Sequence, residues 1–311
     1  MSDDLHDKLR ADVFDRPPTI RILSCGAGVQ STTLALMACN GQIPDLDAAI
    51  FADTGWEPPA VYRQVDMLAE EFKRAGIDFY RVSSGNLRSD TLDPDHRFVS
   101  VPYFTKNADG SRGMGRRQCT SEYKLKPIKK QVRQLLGYVH PTPVPRGVYA
   151  EQWIGFSTDE IGRVRSRLDV LYEKPRYPLL ELDMSRKDCE RWLKAVGWGH
   201  TAKSACIGCP FHGNAQWRDL RDNHPEQWAD AVDFDRQIRK GGASAKPLDG
   251  EAFLHASRVP LDIAPIDHVT RREREDMQTD IFDAIAEEGS PDGCGPYGCR
   301  SGEPIELDGD R

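Results

Sequence analysis

Regular patterning begins at residue 19. Thr19 to Ser24 (TIRILS) is a short apolar run of the kind a buried strand requires. Ser31 to Gly41 (STTLALMACNG) then carries apolar residues at helical spacing and ends on a glycine stop. Asp47 to Gly55 (DAAIFADTG) reads as a second strand running into a turn. Pro59 to Gly76 has the period of an amphipathic helix, with Gly76 at its end, and Asp78 to Gly85 reads as a third strand. Further along, a helix is predicted within Glu122 to Gly137, starting near Pro127. A strand follows at Glu151 to Ser157, after a Pro-rich turn at His140 to Gly147. A helix capped by Ser185 ends at Gly197, and Trp217 to Gly241 is helical on either side of Pro225. Asn86 to Gly115 shows no period and reads as loop, either a mobile lid or a plain surface connection.

Strands alternating with helices predict an α/β fold: a doubly wound parallel sheet with helices on both faces. The expected division is a nucleotide-binding α/β domain over residues 19–183 and a helical region with cysteines and a tail over 184–311. Ligands of such sheets bind outside the carboxyl ends of the strands, so the turns after Ser24 and Ala52 become the first places to look.

Composition narrows the function. No apolar run approaches the roughly 18 residues that a membrane span needs. The start, MSDDLHDKLRADVF, lacks a basic segment followed by an apolar one, so the chain is expected to be cytoplasmic. The net charge of -7 argues against nucleic-acid binding by overall charge, although Lys and Arg cluster between Arg112 and Arg133. Eight cysteines in a reducing compartment point to metal binding or redox chemistry rather than a disulfide framework. Cys39 and Cys189 fall in helical patterns and read as small buried apolar residues.

The turn S-C-G-A-G-V-Q-S-T (Ser24 to Thr32) joins a strand to a helix. Gly26 and Gly28 let the backbone approach a ligand, the helix N-terminus offers N–H groups to an anion, and Ser24, Ser31 and Thr32 add hydroxyls. The turn lacks the Gly-Lys-Ser/Thr of a Walker A loop and the G-x-G-x-x-G of dinucleotide binders. It resembles the PP-loop, usually S-G-G-x-D-S/T, of the superfamily that splits ATP between its α and β phosphates. F-A-D-T-G-W (Phe51 to Trp56), followed by Pro58, Pro59 and Tyr62, resembles the D-T-G-x-x-x-P-E-T-Y element of the branch with phosphoadenosine and adenosine phosphosulfate reductases. That resemblance implies that Asp53 lies by the nucleotide. The chain departs from the pattern at Gln30, where the superfamily has an Asp at the metal-phosphate end of ATP. Gln is a poor ligand for Mg²⁺. Ile154 to Arg165 (IGFSTDEIGRVR) is similar to a later family element, in which Arg163 and Arg165 are expected to grip phosphate or sulfate.

Cys119 lies in RRQCTSEYKLKPI, Cys206 and Cys209 in SACIGCPFHG, and Cys294 and Cys299 in DGCGPYGC. A C-x-x-C turn lets two thiolates reach one metal, and zinc or an iron–sulfur cluster can use such a set. A redox reading of Cys206 and Cys209 lacks the thioredoxin context. The resemblance favours a 4Fe-4S cluster. Iron–sulfur relatives carry a cysteine site followed at a similar distance by C-x-x-C, and Lys124, Pro127 and Ile128 match the C-C-x-x-x-K-x-x-P-[IL] pattern. Thr120 stands where the second of two adjacent cysteines is usual. The expected ligands are therefore Cys119, Cys206, Cys209 and Cys294, the last preferred to Cys299. His212, His255 and Arg258 are further candidates for site contacts, and Trp192, Trp217 and Trp228 for core.

The resemblance implies an ATP pyrophosphatase that uses ATP, with Mg²⁺, to adenylate a substrate for sulfur incorporation, as DNA-phosphorothioation and tRNA-thiolation enzymes of the superfamily do. The catalytic candidates are Gln30, Asp53, Arg163 and Arg165. Expected partners are an adenine nucleotide, a nucleic acid at the basic run, and a cysteine desulfurase or other sulfur-transfer protein, with room for an oligomer. A sulfonucleotide reductase and a non-catalytic nucleotide-binding subunit are the alternatives.

Overall fold

The computed structural model describes residues 14, 16–97, 101–164, 170–242, 248–271 and 273–274. Strands β1 (Ile20–Ser24), β2 (Ala48–Asp53), β3 (Asp78–Ser83), β6 (Ala150–Trp153) and β7 (Glu173–Arg176) form one five-stranded sheet in the order β3-β2-β1-β6-β7. Every pairing in it is parallel. The chain winds outward from β1 through β2 to β3, then returns to the other side of β1 for β6 and β7. The winding therefore reverses at β1, and a crevice opens outside the carboxyl ends of β1 and β6.

Period-two alternation divides the apolar residues between two faces. Leu23, Ala49, Phe51 and Trp153 meet the helices α1 (Val29–Cys39), α2 (Pro59–Ala75) and α6 (Arg186–Ala195) in one buried cluster. Ile22, Ala48, Ile50, Ala52 and Ala150 meet Ile128, Val132 and Leu136 of and just after α4 (Lys126–Leu135) on the other. Helices thus cover both faces, as the sequence predicts. Cys189 is fully buried in α6 and Cys39 partly so at the end of α1, and burial pushes both thiols up to about 12.

A third cluster lies beyond the carboxyl edge of the sheet. It gathers Trp56, Tyr103, Tyr123, Cys206, Trp217, Phe234 and Leu254, with Cys119 packed against it. Around it stand a small antiparallel sheet of β4 (Phe104–Asn107), β5 (Arg112–Met114) and β8 (Gly250–Phe253), and the helices α7 (Asn214–Asn223) and α8 (Pro225–Gln237). The packing crosses the boundary expected at residue 184. Helix α6 belongs with the parallel sheet through Cys189 and Leu193, whereas β4 and β5 belong with the second cluster.

The segment Asn86 to Gly115 corrects the expectation of a loop. Asn86 caps a short helix, α3 (Leu87–Leu92), by accepting from the N–H groups of Arg88 and Ser89, and β4 and β5 follow. The strands are short and basic, which hides their period. The helix expected near Pro127 is preceded by a π-helical turn, Thr120–Leu125, that begins directly after Cys119. Such turns are frequent at functional sites. A short helix, α5 (Pro178–Glu181), links β7 to α6. Among the described residues no helix is long and apolar enough to cross a membrane.

Buried polar groups tie the second cluster together. Asp235 on α8 accepts from the N–H of Leu254 (2.7 Å) and of Leu261 (3.1 Å), and pairs with Arg239. His255 sits between Ser257 Oγ (2.7 Å) and Asn214 Oδ1 (2.9 Å). Asn214 gives its amide hydrogens to the carbonyls of Pro265 and His268, so its oxygen faces the ring and Nε2 carries the proton. Arg258, at a positive φ of 60°, donates to the carbonyls of Thr105, Ala256 and Gly113. Arg258 therefore ties β4 to β5, and His255 fixes the following turn to α7.

Burial pushes the His255 pKa down to about 4. The unfolded imidazole titrates near 6.5, so the folded state resists protonation. Stability is complete above about pH 6.5 and falls as the pH drops towards 4, by up to about 3 kcal/mol from this group. Urea unfolding at pH 7.5 and 4.5 checks this. A His255→Gln variant should lose less stability between the two than the wild type, and parallel losses would contradict the assignment.

Candidate functional site

The loop after β1 is shaped by Ala27, which takes a left-handed conformation (φ 53°) at a position with no room for exposure. Gly28 then serves as N-cap of α1 and supplies no capping side chain. The helix therefore presents its first N–H groups, with the positive end of its dipole, at the mouth of the crevice. Gly26, Gly28 and Gln30 are the partly exposed positions there. Ser31 Oγ bonds the N–H and C=O of Gly28. Gly155 after β6 lies so close that a Cβ would meet Ser31 N at 3.0 Å, which explains a glycine at that position.

Two expected loop hydroxyls turn inward instead. Ser24 is buried in the sheet, where its Oγ accepts from Gln152 of β6. Thr32 is fully buried, and its Oγ1 accepts from Gln64 of α2 at 2.9 Å. The rotation of about 100° per residue along α1 accounts for Thr32: Gln30 and Ser31 reach the mouth and Thr32 faces the interior.

Gln30 anchors a polar cluster across the crevice. Its Nε2 donates to Glu160 Oε2 (3.2 Å) and Ser157 Oγ (3.4 Å), and its Oε1 accepts from Arg186 Nη1 (3.3 Å). Glu160 pairs with Arg163. Desolvation raises the Glu160 pKa in spite of the opposing attraction of Arg163 and Arg186. The Arg163 guanidinium lies 4.6 Å from the Phe156 ring centroid, and its Nε and Nη2 are buried with no hydrogen-bond partner among the described residues. Buried donors of a charged group without acceptors are costly, and an oxyanion of a ligand would satisfy them. Arg165, the second arginine of the expected pair, lies outside the described residues. Arg186 joins Arg163 around Glu160, a place that no local motif announces. It is the first residue of a helix capped by Ser185, 156 positions from Gln30.

Asp53 closes β2. Its Oδ1 accepts from Tyr62 OH (2.9 Å) and Gly55 N (2.8 Å), which holds the carboxylate at the edge of the sheet. Burial, then the bond to Asp53, raise the Tyr62 pKa. The turn that follows is pinned by Asn86 Nδ2 to Gly55 O (2.8 Å) and by Trp56 Nε1 to Asp230 Oδ2 (2.6 Å).

The C-x-x-C segment packs on this turn. Cys206 Sγ lies 3.3 Å from Thr54 Oγ1 and 3.5 Å from Glu57 Oε1, and Ile207 N donates to Trp56 O (3.0 Å). Glu57 is buried, its Oε1 stands 3.7 Å from Lys124 Nζ, and its Oε2 has no partner among the described residues. Cys209 N donates to Cys206 O, and His212 Nε2 bonds the same carbonyl at 2.9 Å, so His212 shapes the turn. The Arg117 guanidinium stacks 5.0 Å from the Phe211 ring, which draws the segment containing Cys119 towards the same turn. Cys119 and Cys206 thus share one apolar cluster. Among the described residues no three His, Cys, Asp or Glu side chains are grouped closely enough to hold a metal ion. Cys294 and Cys299 lie outside those residues.

Gly208 carries the fit of the cysteine turn. A Cβ there would stand 2.0 Å from Cη2 of the buried Trp56 ring. Gly208→Ala should cost roughly 1–3 kcal/mol by overpacking and change the Trp fluorescence. Gly162→Ala, whose Cβ meets nothing within 4 Å, should unfold like the wild type. Equal stability of the two variants in urea would contradict this packing.

No protein-family model matches the chain, and no curated protein matches it.

Proposed function

We propose that the protein is an adenine-nucleotide enzyme of the PP-loop type: an ATP pyrophosphatase that adenylates a substrate for sulfur incorporation. The observation that carries this reading is Arg163, with two buried guanidinium nitrogens that have no partner among the described residues, beside a helix N-terminus whose N-cap, Gly28, has no side chain, where the winding of the sheet reverses. Both features call for a ligand rich in negative oxygen, and a polyphosphate supplies one.

In the proposed reaction an oxygen of the substrate attacks the α-phosphorus of ATP. The new P–O bond forms as the bond to the pyrophosphate oxygen breaks, and pyrophosphate leaves. The N–H groups at the start of α1, with Gly26 and Gly28 giving them access, take the phosphate oxygens. Arg163 and Arg186 offset the charge that builds on the leaving pyrophosphate, and Arg165 is proposed to assist. Glu160 holds Arg163 in place. Asp53, oriented by Tyr62 and Gly55, seats the nucleotide at the end of β2. Mg²⁺ bound to the triphosphate would offset further charge.

The cysteines are proposed as a second element of the same site. Cys119, Cys206 and Cys209 do not form a metal-holding group among the described residues, so a 4Fe-4S cluster would have to draw them together, with Cys294 as fourth ligand, and would then supply a place to bind or activate sulfur. Support comes from the soft donors Cys206, within one apolar cluster beyond the carboxyl edge of the sheet, and Cys119, packed against that cluster. A nucleic acid at the basic run from Arg112, and a cysteine desulfurase as sulfur source, are proposed partners.

Gln30 favours a second reading. Its neutral amide is already engaged with Glu160 and Arg186 and offers Mg²⁺ no carboxylate. That suits a sulfonucleotide reductase, which needs no pyrophosphate release.

Two outcomes check these proposals. Incubation with ATP and Mg²⁺ should release pyrophosphate. Arg163→Gln should lower the rate by about 100-fold, the usual cost of one charged transition-state donor, with the fold kept. Sulfite from a sulfonucleotide and a thiol, without pyrophosphate, would replace the first reading with the second. Anaerobically purified protein should be brown with about four irons per chain, and Cys206→Ala should lose them. A colourless, iron-free wild type would remove the cluster from the account.

A further inference from the structure

Gln64 links the two parts of the site. It is buried on α2 and lies in none of the motifs that mark the loops. Its Nε2 donates to Ala27 O (2.8 Å) and to Thr32 Oγ1 (2.9 Å), and its Oε1 accepts from Ala202 N (2.5 Å). One amide group thus spends both its ends on three segments. The first is the left-handed residue of the phosphate-loop candidate, the second the opening turn of α1, and the third the backbone four residues before Cys206.

The contact is reinforced next to it. A Cβ on Gly28 would meet Ser204 Cβ at 3.7 Å, so the buried run Ser204 to Cys206 lies directly against the loop. Ala27 bears the backbone cost of a positive φ without being glycine. A carbonyl in that conformation needs a fixed donor, and Gln64 provides it. The peptide between Ala27 and Gly28 is held from both sides, its carbonyl by Gln64 and its N–H by Ser31 Oγ, and it leads directly into the first N–H groups of α1. Gln64 ties that peptide to Ala202.

From this geometry we infer that Gln64 is a positioning residue that couples occupation of the phosphate loop to the order of the cysteine segment. The inference rests on the reading that the loop takes the phosphates of a nucleotide. Nucleotide binding then tightens the 202–209 segment, and loosening of either segment loosens the other.

Amide hydrogen exchange, read by mass spectrometry on peptides covering 25–32 and 202–209, tests it with the protein as purified. Three proteins are compared: wild type, Gln64→Met, which keeps the volume and removes the bonds, and Gln64→Glu, which keeps an acceptor for Ala202 N and removes the amide donor to Ala27 O. Without ligand, exchange in both peptides should rise about tenfold in Gln64→Met, the factor that one to two net hydrogen bonds supply. In Gln64→Glu only the 25–32 peptide should speed up. Exchange at β3, away from both segments, should stay unchanged in each, which a general loss of stability would not allow. Saturating ATP should slow both peptides in the wild type. In Gln64→Met, with binding verified by calorimetry, it should slow the first peptide alone. Equal protection of 202–209 in wild type and Gln64→Met would overturn the coupling, as would uniform speeding over the whole chain in the variants. If calorimetry shows no ATP binding to the wild type, the nucleotide reading fails by itself. The ligand-free exchange pattern then decides the role of Gln64.

Discussion

Parallel pairing on both sides of β1 is the constraint on which the rest of the structure depends. Because β2 and β6 both run alongside β1 in the same direction, the turns that leave all three emerge at one edge. Because the winding reverses at β1, those turns diverge and leave a crevice between them. Gln30 on one side thereby meets Ser157 and Glu160 on the other, across 127 and 130 positions of chain. Asp53 stands at the same edge for the same reason. The second cluster, with Trp56 as its link, is built over this edge, and that brings the cysteine turn next to the turn after β2.

The charged groups around Gln30 are largely paired with one another. Glu160 pairs with Arg163, Arg186 pairs with Glu190 and gives its backbone N–H to Asp159, and Nε and Nη2 of Arg163 have no hydrogen-bond partner among the described residues. The helix dipole adds positive potential at the same place. An oxyanion would satisfy the two Arg163 nitrogens.

Much of the parallel sheet was legible in the sequence, since its strands are apolar runs punctuated by glycine. TIRILS and DAAIFAD gave β1 and β2, and Gly76 gave the end of α2. The small antiparallel sheet was not legible. β5 has three residues and β4 four, too few for alternation to stand out among charged neighbours. Of the site, glycines in a strand-to-helix turn announced the loop and its Gly26, Gly28 and Gln30. The inward turn of Ser24 and Thr32 depends on partners far along the chain, Gln152 and Gln64, which no local pattern reveals. Arg186 was hidden for the same reason. Its role arises only because Ser185 starts a helix pointing at the crevice.

The most direct test of the account is a crystal structure with the non-hydrolysable α,β-methylene analogue of ATP. Phosphate oxygens should lie on the N–H groups that open α1 and on Nε and Nη2 of Arg163, with the nucleoside beside Asp53. A nucleotide bound elsewhere, with the Arg163 guanidinium still unmet, would contradict it.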